Sequence, residues 1–302
     1  DGSDVPLKDI KENFEEAFLE VWKGHVEDDV FNRLVLIAGL TSREVVVLRA
    51  LRKFLRQIGV PFSLAYMGET LAGNASIARL IMDLFAARFD PRNRHRAEVR
   101  VVKLRNAIEE ALEKVPDLDQ DRILRRFYNL VESILRTNYF QQDEEEQPKP
   151  YLSFKVASRL IDGLPLPRPM FEIFVYSPRM EGVHLRGGRI ARGGIRWSDR
   201  REDFRTEILG LMKAQMVKNA VIVPVGAKGG FVIKRPPTEG GREALMAEVV
   251  ACYQMLIRGM LDLTDNLDGD QAVQPLDTIC KDEADPYLVV ADGRLFWMYD
   301  AY

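Results

Sequence analysis

The hydrophobic period of this 302-residue chain changes once along its length, and a charged, proline-terminated segment marks the change. From Lys8 to about Phe140, apolar residues recur every three or four positions and proline or glycine falls mainly at breaks, which is the pattern of successive amphipathic helices. The run from Gln141 through Asp143, Glu144, Glu145 and Glu146 to Pro150 is charged and poor in apolar residues, so it reads as a solvated linker. Beyond it, short β-rich runs such as Phe171–Tyr176 and Val221–Val225 alternate with helical patterns near 201–219 and 242–263, and that alternation points to an α/β layer arrangement. The expected organisation is a helical segment over 1–140, an acidic linker over 141–150 and an α/β domain with a mixed sheet over 151–302, α+β overall.

One helix can be delimited closely. Thr41 with Glu44 forms a capping-box signal, Val45, Leu48, Leu51, Leu55 and Ile58 supply an apolar face, and Gly59 followed by Pro61 stops it. Similar arguments place helices near 75–89, 97–115 and 120–137, the first of them ending where Asp90 precedes Pro91. Arg122, Arg125, Arg126, Phe127 and Tyr128 make the last helix basic and aromatic. Asp117, Asp119, Asp121 and Glu132 surround them, so a salt-bridged helix surface is expected rather than a nucleic-acid contact.

The 43 basic and 46 acidic residues leave a net charge of only -3, which removes any global pull towards nucleic acid or an anionic membrane. Cys252 and Cys280 form no Cys-x-x-Cys pair, and His25, His95 and His184 lack metal-ligand spacing, so no metal is expected and the chain reads as cytoplasmic. No apolar run approaches the roughly 20 residues of a membrane span, and the start lacks a signal-peptide pattern.

The stretch from Leu185 to Lys234 interleaves glycines and cations in a way that packing alone does not require. Gly187, Gly188, Gly193 and Gly194 permit tight turns and close backbone approach, and Arg186, Arg189, Arg192 and Arg196 bring guanidinium groups suited to carboxylates. A glycine-rich hairpin with solvated arginines would read the same way. In the following helix Leu211, Gln215 and Lys218 share one face, while Lys213 points elsewhere. Lys218 could also serve only to complement the helix dipole. The strand Val221–Val225 then ends in Gly226-Ala227-Lys228-Gly229-Gly230, which would put Lys228 at the carboxyl end of a sheet, where ligands of α/β folds bind. The spacing is not that of a P-loop. An amine at Lys228 held beside Lys218 and screened from water would have its pKa lowered towards the working pH and could move protons.

The runs Ala191-Arg192-Gly193-Gly194-Ile195-Arg196-Trp197, Gln215-Met216-Val217-Lys218 and Pro224-Val225-Gly226-Ala227-Lys228-Gly229-Gly230 resemble the substrate-site motifs of glutamate dehydrogenases. The wording from Arg196 to Glu207 and from Leu211 to Gln215 is similar to the large, bacterial NAD-specific branch, and the resemblance covers nearly the whole chain to about Ala291. It implies that Arg192 takes the substrate's side-chain carboxylate and that Gln215 and Lys218 hold the α-carboxylate. It implies further that Lys228 is the catalytic lysine activating water, that Asp292 is the proton shuttle, and that Gly193, Gly194, Gly226, Gly229 and Gly230 support the site. Lys218 and Lys228 lie closer together than in the smaller members of the family, and the residues after Asp292 depart from the expected lysine, glycine and threonine.

The resemblance implies NAD-dependent deamination of L-glutamate to 2-oxoglutarate and ammonia by a homo-oligomer. No Gly-x-Gly-x-x-Gly follows a strand with an acidic residue behind it, so no Rossmann domain for the NAD is expected within these residues. The chain by itself is then expected to bind substrate weakly or not at all and to be inactive. Two other readings stay open, a non-catalytic assembly or regulatory fragment and a binding domain for another dicarboxylate.

Overall fold

A computed structural model of the chain describes residues 7–218 and 225–290, with the backbone alone described at 7–10, 95–96 and 215–218. The chain divides into two compact units between Glu132 and Ser133. That boundary lies ahead of the segment 141–150 that the sequence reading assigns to a linker.

The first unit is helical, built from α1 (Leu7–Trp22), α2 (Leu34–Ile37), α3 (Ser42–Gln57), α4 (Leu64–Gly73), α5 (Ala75–Phe89), α6 (Ala97–Leu112) and α7 (Leu118–Ser133). The α3 start follows from its sequence: the Glu44 amide donates to the Thr41 hydroxyl at 3.2 Å and the Thr41 amide donates to the Glu44 carboxylate at 2.8 Å. Val45, Leu48, Leu51, Leu55 and Ile58 are all buried, and Gly59 leaves the helix at φ +85°. Arg122 pairs with Asp119, and Arg125 pairs with Asp121 and Glu109.

The same helix α3 also buries two arginines. Asp29 accepts from Arg49 at 2.9 and 3.0 Å, from Arg52, and from the Phe31 amide at 3.0 Å. Burial alone would push the Asp29 carboxyl up, but the Arg49 hydrogen bond and the charges of Arg49 and Arg52 hold it below the ordinary carboxylate range.

The second unit opens where the sequence pattern is still helical. Residues 134–137, expected to finish α7, form strand β1 (Ile134–Thr137), every residue of it buried and paired antiparallel with β2 (Leu152–Ala157). Tertiary pairing thus overrides a helical period of only four residues. The acidic segment behind β1 is folded onto this unit and does not separate two domains. Gln141 donates to the Asp262 carbonyl at 2.9 Å and to Thr278 at 2.7 Å, and Lys149 meets Asp262 at 2.5 Å. Gln142 to Pro148 are exposed, with a turn in which Asp143 accepts from the Glu145 and Gln147 amides.

Next come β3 (Phe171–Tyr176), β4 (Met180–Arg186), β5 (Ala191–Gly193), β6 (Ile195–Trp197), α8 (Phe204–Lys218), β7 (Val225–Ile233), α9 (Gly241–Leu261), the hairpin β8 (Asn266–Asp268) and β9 (Gln271–Val273), and β10 (Val289–Val290). Among the described residues, eight strands form one mixed sheet in the order β1-β2-β3-β4-β7-β5-β10, with β6 also on β7. β1, β2, β3, β4 and β7 pair antiparallel in that succession, whereas β5 and β6 lie parallel to β7 and β10 lies parallel to β5.

A helix covers each face of the sheet. On one, α8 is fastened by Arg205, whose guanidinium donates to both oxygens of Glu172 at 2.8 and 2.5 Å, with both side chains fully buried. On the other, α9 sends Val249, Cys252, Leu256 and Met260 into a core with Ile173, Val175, Met180, Phe231 and Ile233. α9 is long and apolar enough to cross a membrane, contrary to the sequence expectation that no run is, and its buried face is the one applied to the sheet.

Because Asp29 neutralises two buried guanidinium groups, Asp29→Ala should lower the unfolding free energy of the first unit by about 3 to 5 kcal/mol. Urea denaturation followed by circular dichroism measures this, and a loss below about 1 kcal/mol would contradict the assignment.

Candidate active site

The glycine and lysine run expected to follow a strand is itself the strand. β7 contains Gly226 to Gly230, with Lys228 opposite Leu185 of β4, while residues 221–224 of the expected strand lie outside the described residues. Lys228 therefore sits within the sheet and not in a loop at its end. The physical reason is that β7 has neighbours on both edges, β4 on one and β5 with β6 on the other, so its backbone is held extended.

The glycines serve this crowding. A Cβ at Gly193 would lie 1.6 Å from the Ala227 carbonyl oxygen, and one at Gly230 would lie 2.3 Å from Ile208 of α8. Both positions require the absence of a side chain. Gly194 accepts from the Gly229 amide at 3.0 Å, and Gly226 accepts from the Gly187 amide at 3.0 Å, so these glycines join β7 to its neighbours.

Arg192 lies opposite Gly226, and β6 continues the same register with Ile195 opposite Gly229. Strand alternation then puts Arg192, Gly226, Lys228 and Gly230 on one face, the face on which Ile208 of α8 sits. Arg192 is exposed and Lys228 is half-buried. α8 is keyed to this face by Glu207, which accepts from Arg196 at 3.0 Å and from Ser198 at 2.6 Å. Gln215 and Lys218 occupy the last turn of α8, though their side chains lie outside the described residues. Asp292 also lies outside them.

Arg186, Arg189 and Arg196, expected with Arg192 to gather at the glycine turns, each meet a carboxylate of this unit. Arg186 is buried and bonded to Asp285, Arg189 pairs with Glu283, and Arg196 pairs with Glu207. Lys281, Asp282, Glu283 and Asp285 form a dense charge run that the sequence reading passed over, and nothing in the sequence alone connects it to β1, β2 and β4. Burial raises the Asp285 carboxyl, yet the Arg186 hydrogen bond and the Lys155 charge outweigh it and hold the group below the ordinary range.

On the opposite face His184 stands against Gly229, fully buried, and neither ring nitrogen has a hydrogen-bond partner among the described residues. Burial, and secondarily the Arg186 charge, pushes its pKa down to about 3. It is held neutral and lies across the sheet from Lys228.

With this geometry in view, residues 107–295 match the family described as bacterial NAD-glutamate dehydrogenase, catalytic domain, and residues 26–91 match glutamate dehydrogenase, helical motif 3. The chain belongs to the bacterial NAD-glutamate dehydrogenase family. It is 51% identical over 297 residues to the NAD-specific glutamate dehydrogenase of Pseudomonas aeruginosa, covering 97% of this chain and 18% of that protein. The enzyme of the same name from Halomonas elongata is 51% identical over 291 residues, 96% of this chain and 18% of its own length. That from Mycobacterium tuberculosis is 53% identical over 290 residues, 93% of this chain and again 18% of its own length. The chain thus spans less than a fifth of the curated relatives it matches. Within this family member, the helical-motif match falls in the first unit and the catalytic-domain match runs from α6 through the whole described sheet.

Gly193→Ala forces a methyl group into the Ala227 carbonyl and should cost the second unit about 3 kcal/mol or more in urea denaturation. A cost below about 1 kcal/mol would mean that β5 does not approach β7 as described. His184 provides a pH test. Its folded value of about 3 lies below the unfolded value of roughly 6.5, so the unfolded chain takes up a proton that the fold refuses. Stability should therefore be unaffected by His184 above about pH 6.5 and fall as pH drops towards about 3, by up to about 1.4 kcal/mol per pH unit. His184→Leu should flatten that part of the stability profile, and an unchanged slope would contradict the burial.

Proposed function

We propose that this chain supplies the substrate site for NAD-dependent oxidative deamination of L-glutamate to 2-oxoglutarate and ammonia. The observation that carries the proposal is the shared register of Arg192 and Lys228 on the α8 face of β7, within a chain of this family. An exposed guanidinium suits the substrate's side-chain carboxylate, which it can grip with two parallel hydrogen bonds. Gln215 and Lys218, on the last turn of the helix covering that face, are the proposed partners of the α-carboxylate. Lys228 would then stand near the α-carbon, where its amine can activate water for hydrolysis of the imino intermediate and take part in proton transfer. Asp292 is the proposed proton shuttle. Fixing the substrate at both ends lowers the barrier through orientation, a contribution of several kcal/mol in well-aligned systems.

The proposed hydride acceptor is NAD, and the β7 glycines do not read as its pyrophosphate-binding turn. The glycine run of β7 is hydrogen-bonded to strands on both edges, so its amides are not presented to a pyrophosphate as those of a nucleotide-binding turn are. We assign nucleotide binding to the remaining length that the relatives carry, and propose that the 302-residue chain by itself does not reduce NAD. The sparse, unpaired cysteines support a reduced, cytoplasmic setting.

Calorimetric titration of the purified chain should give weak binding of 2-oxoglutarate and glutamate in preference to succinate. Arg192→Ala and Lys228→Ala should each weaken it by about tenfold or more, the loss expected for a charge-assisted hydrogen bond. Equal affinity for succinate, no binding by the folded chain, or binding indifferent to both substitutions would overturn the assignment of a preformed pocket to these residues.

A further inference from the structure

β10 is two residues long and pairs in parallel with β5, Val289 opposite Arg192 and Val290 opposite Gly193. A ladder this short cannot offset the cost of ordering its own backbone, about 1 to 2 kcal/mol per residue. The residues that lead into it, 274–288, contain no helix or strand. Something other than secondary structure must hold this segment beside β5.

Side-chain charge does so. From β1, β2 and β4 the sheet presents Arg136, Lys155 and Arg186, with side chains 0, 1 and 3% exposed. Asp282 accepts from Arg136 at 2.6 Å and from Lys155 at 2.5 Å, and Asp285 accepts from Lys155 at 2.5 Å and from Arg186. Asp265, itself fully buried, accepts from Arg136 at 2.6 Å and from the Asp285 amide at 2.5 Å. Arg186 also donates to the Tyr287 carbonyl at 2.7 Å, two residues ahead of β10. Lys155 and Arg186 share the ring of Phe171 as an apolar floor, at 4.6 and 5.4 Å from its centroid. Three cations thus meet three carboxylates, and removing one partner leaves a buried charge uncompensated.

We propose that the Arg186–Asp285 ion pair, completed by Lys155, is a positioning device for the substrate site: it seats β10 on β5 and so fixes the strand that carries Arg192. The link to substrate rests on the reading of Arg192 given above, while the link to β10 does not. Asp285 touches no substrate. It acts through the backbone of the segment it holds.

The test uses the 302-residue chain with Asp285→Asn, the milder Arg186→Lys, which keeps the charge and loses the fork to Tyr287, and the conservative Asp285→Glu. Hydrogen exchange read by mass spectrometry should show peptides covering 286–290 and 190–194 exchanging about tenfold faster or more in the first two variants, while β2 and β3 change less than about twofold. Affinity for 2-oxoglutarate should fall in the same order, with Asp285→Glu recovering both readouts in part. Unchanged protection at 286–290 in a folded Arg186→Lys chain, or protection lost evenly over the sheet in both variants, overturns the proposal. If exchange responds and affinity does not, the positioning role is overturned and the ion pair is structural only. If the parent chain binds no 2-oxoglutarate, the substrate reading fails, and the exchange data still decide whether Asp285 seats β10.

Discussion

A side chain at position 193 would meet the Ala227 carbonyl at 1.6 Å, and this exclusion governs how the second unit is put together. Without a Cβ there, β5 and β6 can run along β7 in unbroken register, and the register puts Arg192 and Lys228 on one face. The same face has room for α8 only because position 230 is also glycine, with Ile208 seated over it. A loop-like glycine motif in the sequence is thus a close-packing motif in the fold. Its consequence for function is rigidity: the two cations proposed to meet the substrate stand on adjacent strands and not on loops, where their spacing would vary.

Several parts of this were legible beforehand because the controlling physics is local. The start of α3 follows from Thr41 and Glu44, its stop from Gly59, and the end of α5 from Asp90 before Pro91; each depends on residues within a few positions of one another. The proposed site residues come from the sequence as well, as an arrangement of glycines and cations with a family resemblance. What failed were inferences about where segments go once the chain packs. Residues 134–137 continue a helical period, yet the edge of β2 claims them as β1. Gln141 and Lys149 bracket an acidic run that looks like a linker, yet both bind Asp262, more than a hundred positions away. Lys228 was placed at a strand end because Val221–Val225 is apolar and the glycines are not; pairing on both edges keeps the glycines in the strand.

Buried charge was the least legible feature. Arg49, Arg136, Lys155 and Arg205 are all at most 1% exposed, against the usual rule for such side chains. Each is matched by carboxylates distant in sequence, Asp29, Asp265, Asp282, Asp285 or Glu172, so only the assembled fold explains its burial. These pairs need not add net stability, because desolvation offsets much of the attraction. What they do specify is alignment. Arg205 with Glu172 sets α8 on the sheet, and Arg186 with Asp285 and Tyr287 sets the segment leading to β10.

The central claim is that substrate meets this chain on the α8 face of β5 and β7. Amide chemical-shift mapping of the isotopically labelled 302-residue chain during titration with 2-oxoglutarate tests it most directly. Shifts should concentrate at Arg192, Gly193 and Lys228 and in the last turn of α8, leaving α3 to α5 and the β8–β9 hairpin unmoved. Saturable shifts centred on α9 or on the helices of the first unit, with Arg192 and Lys228 unaffected, would contradict it.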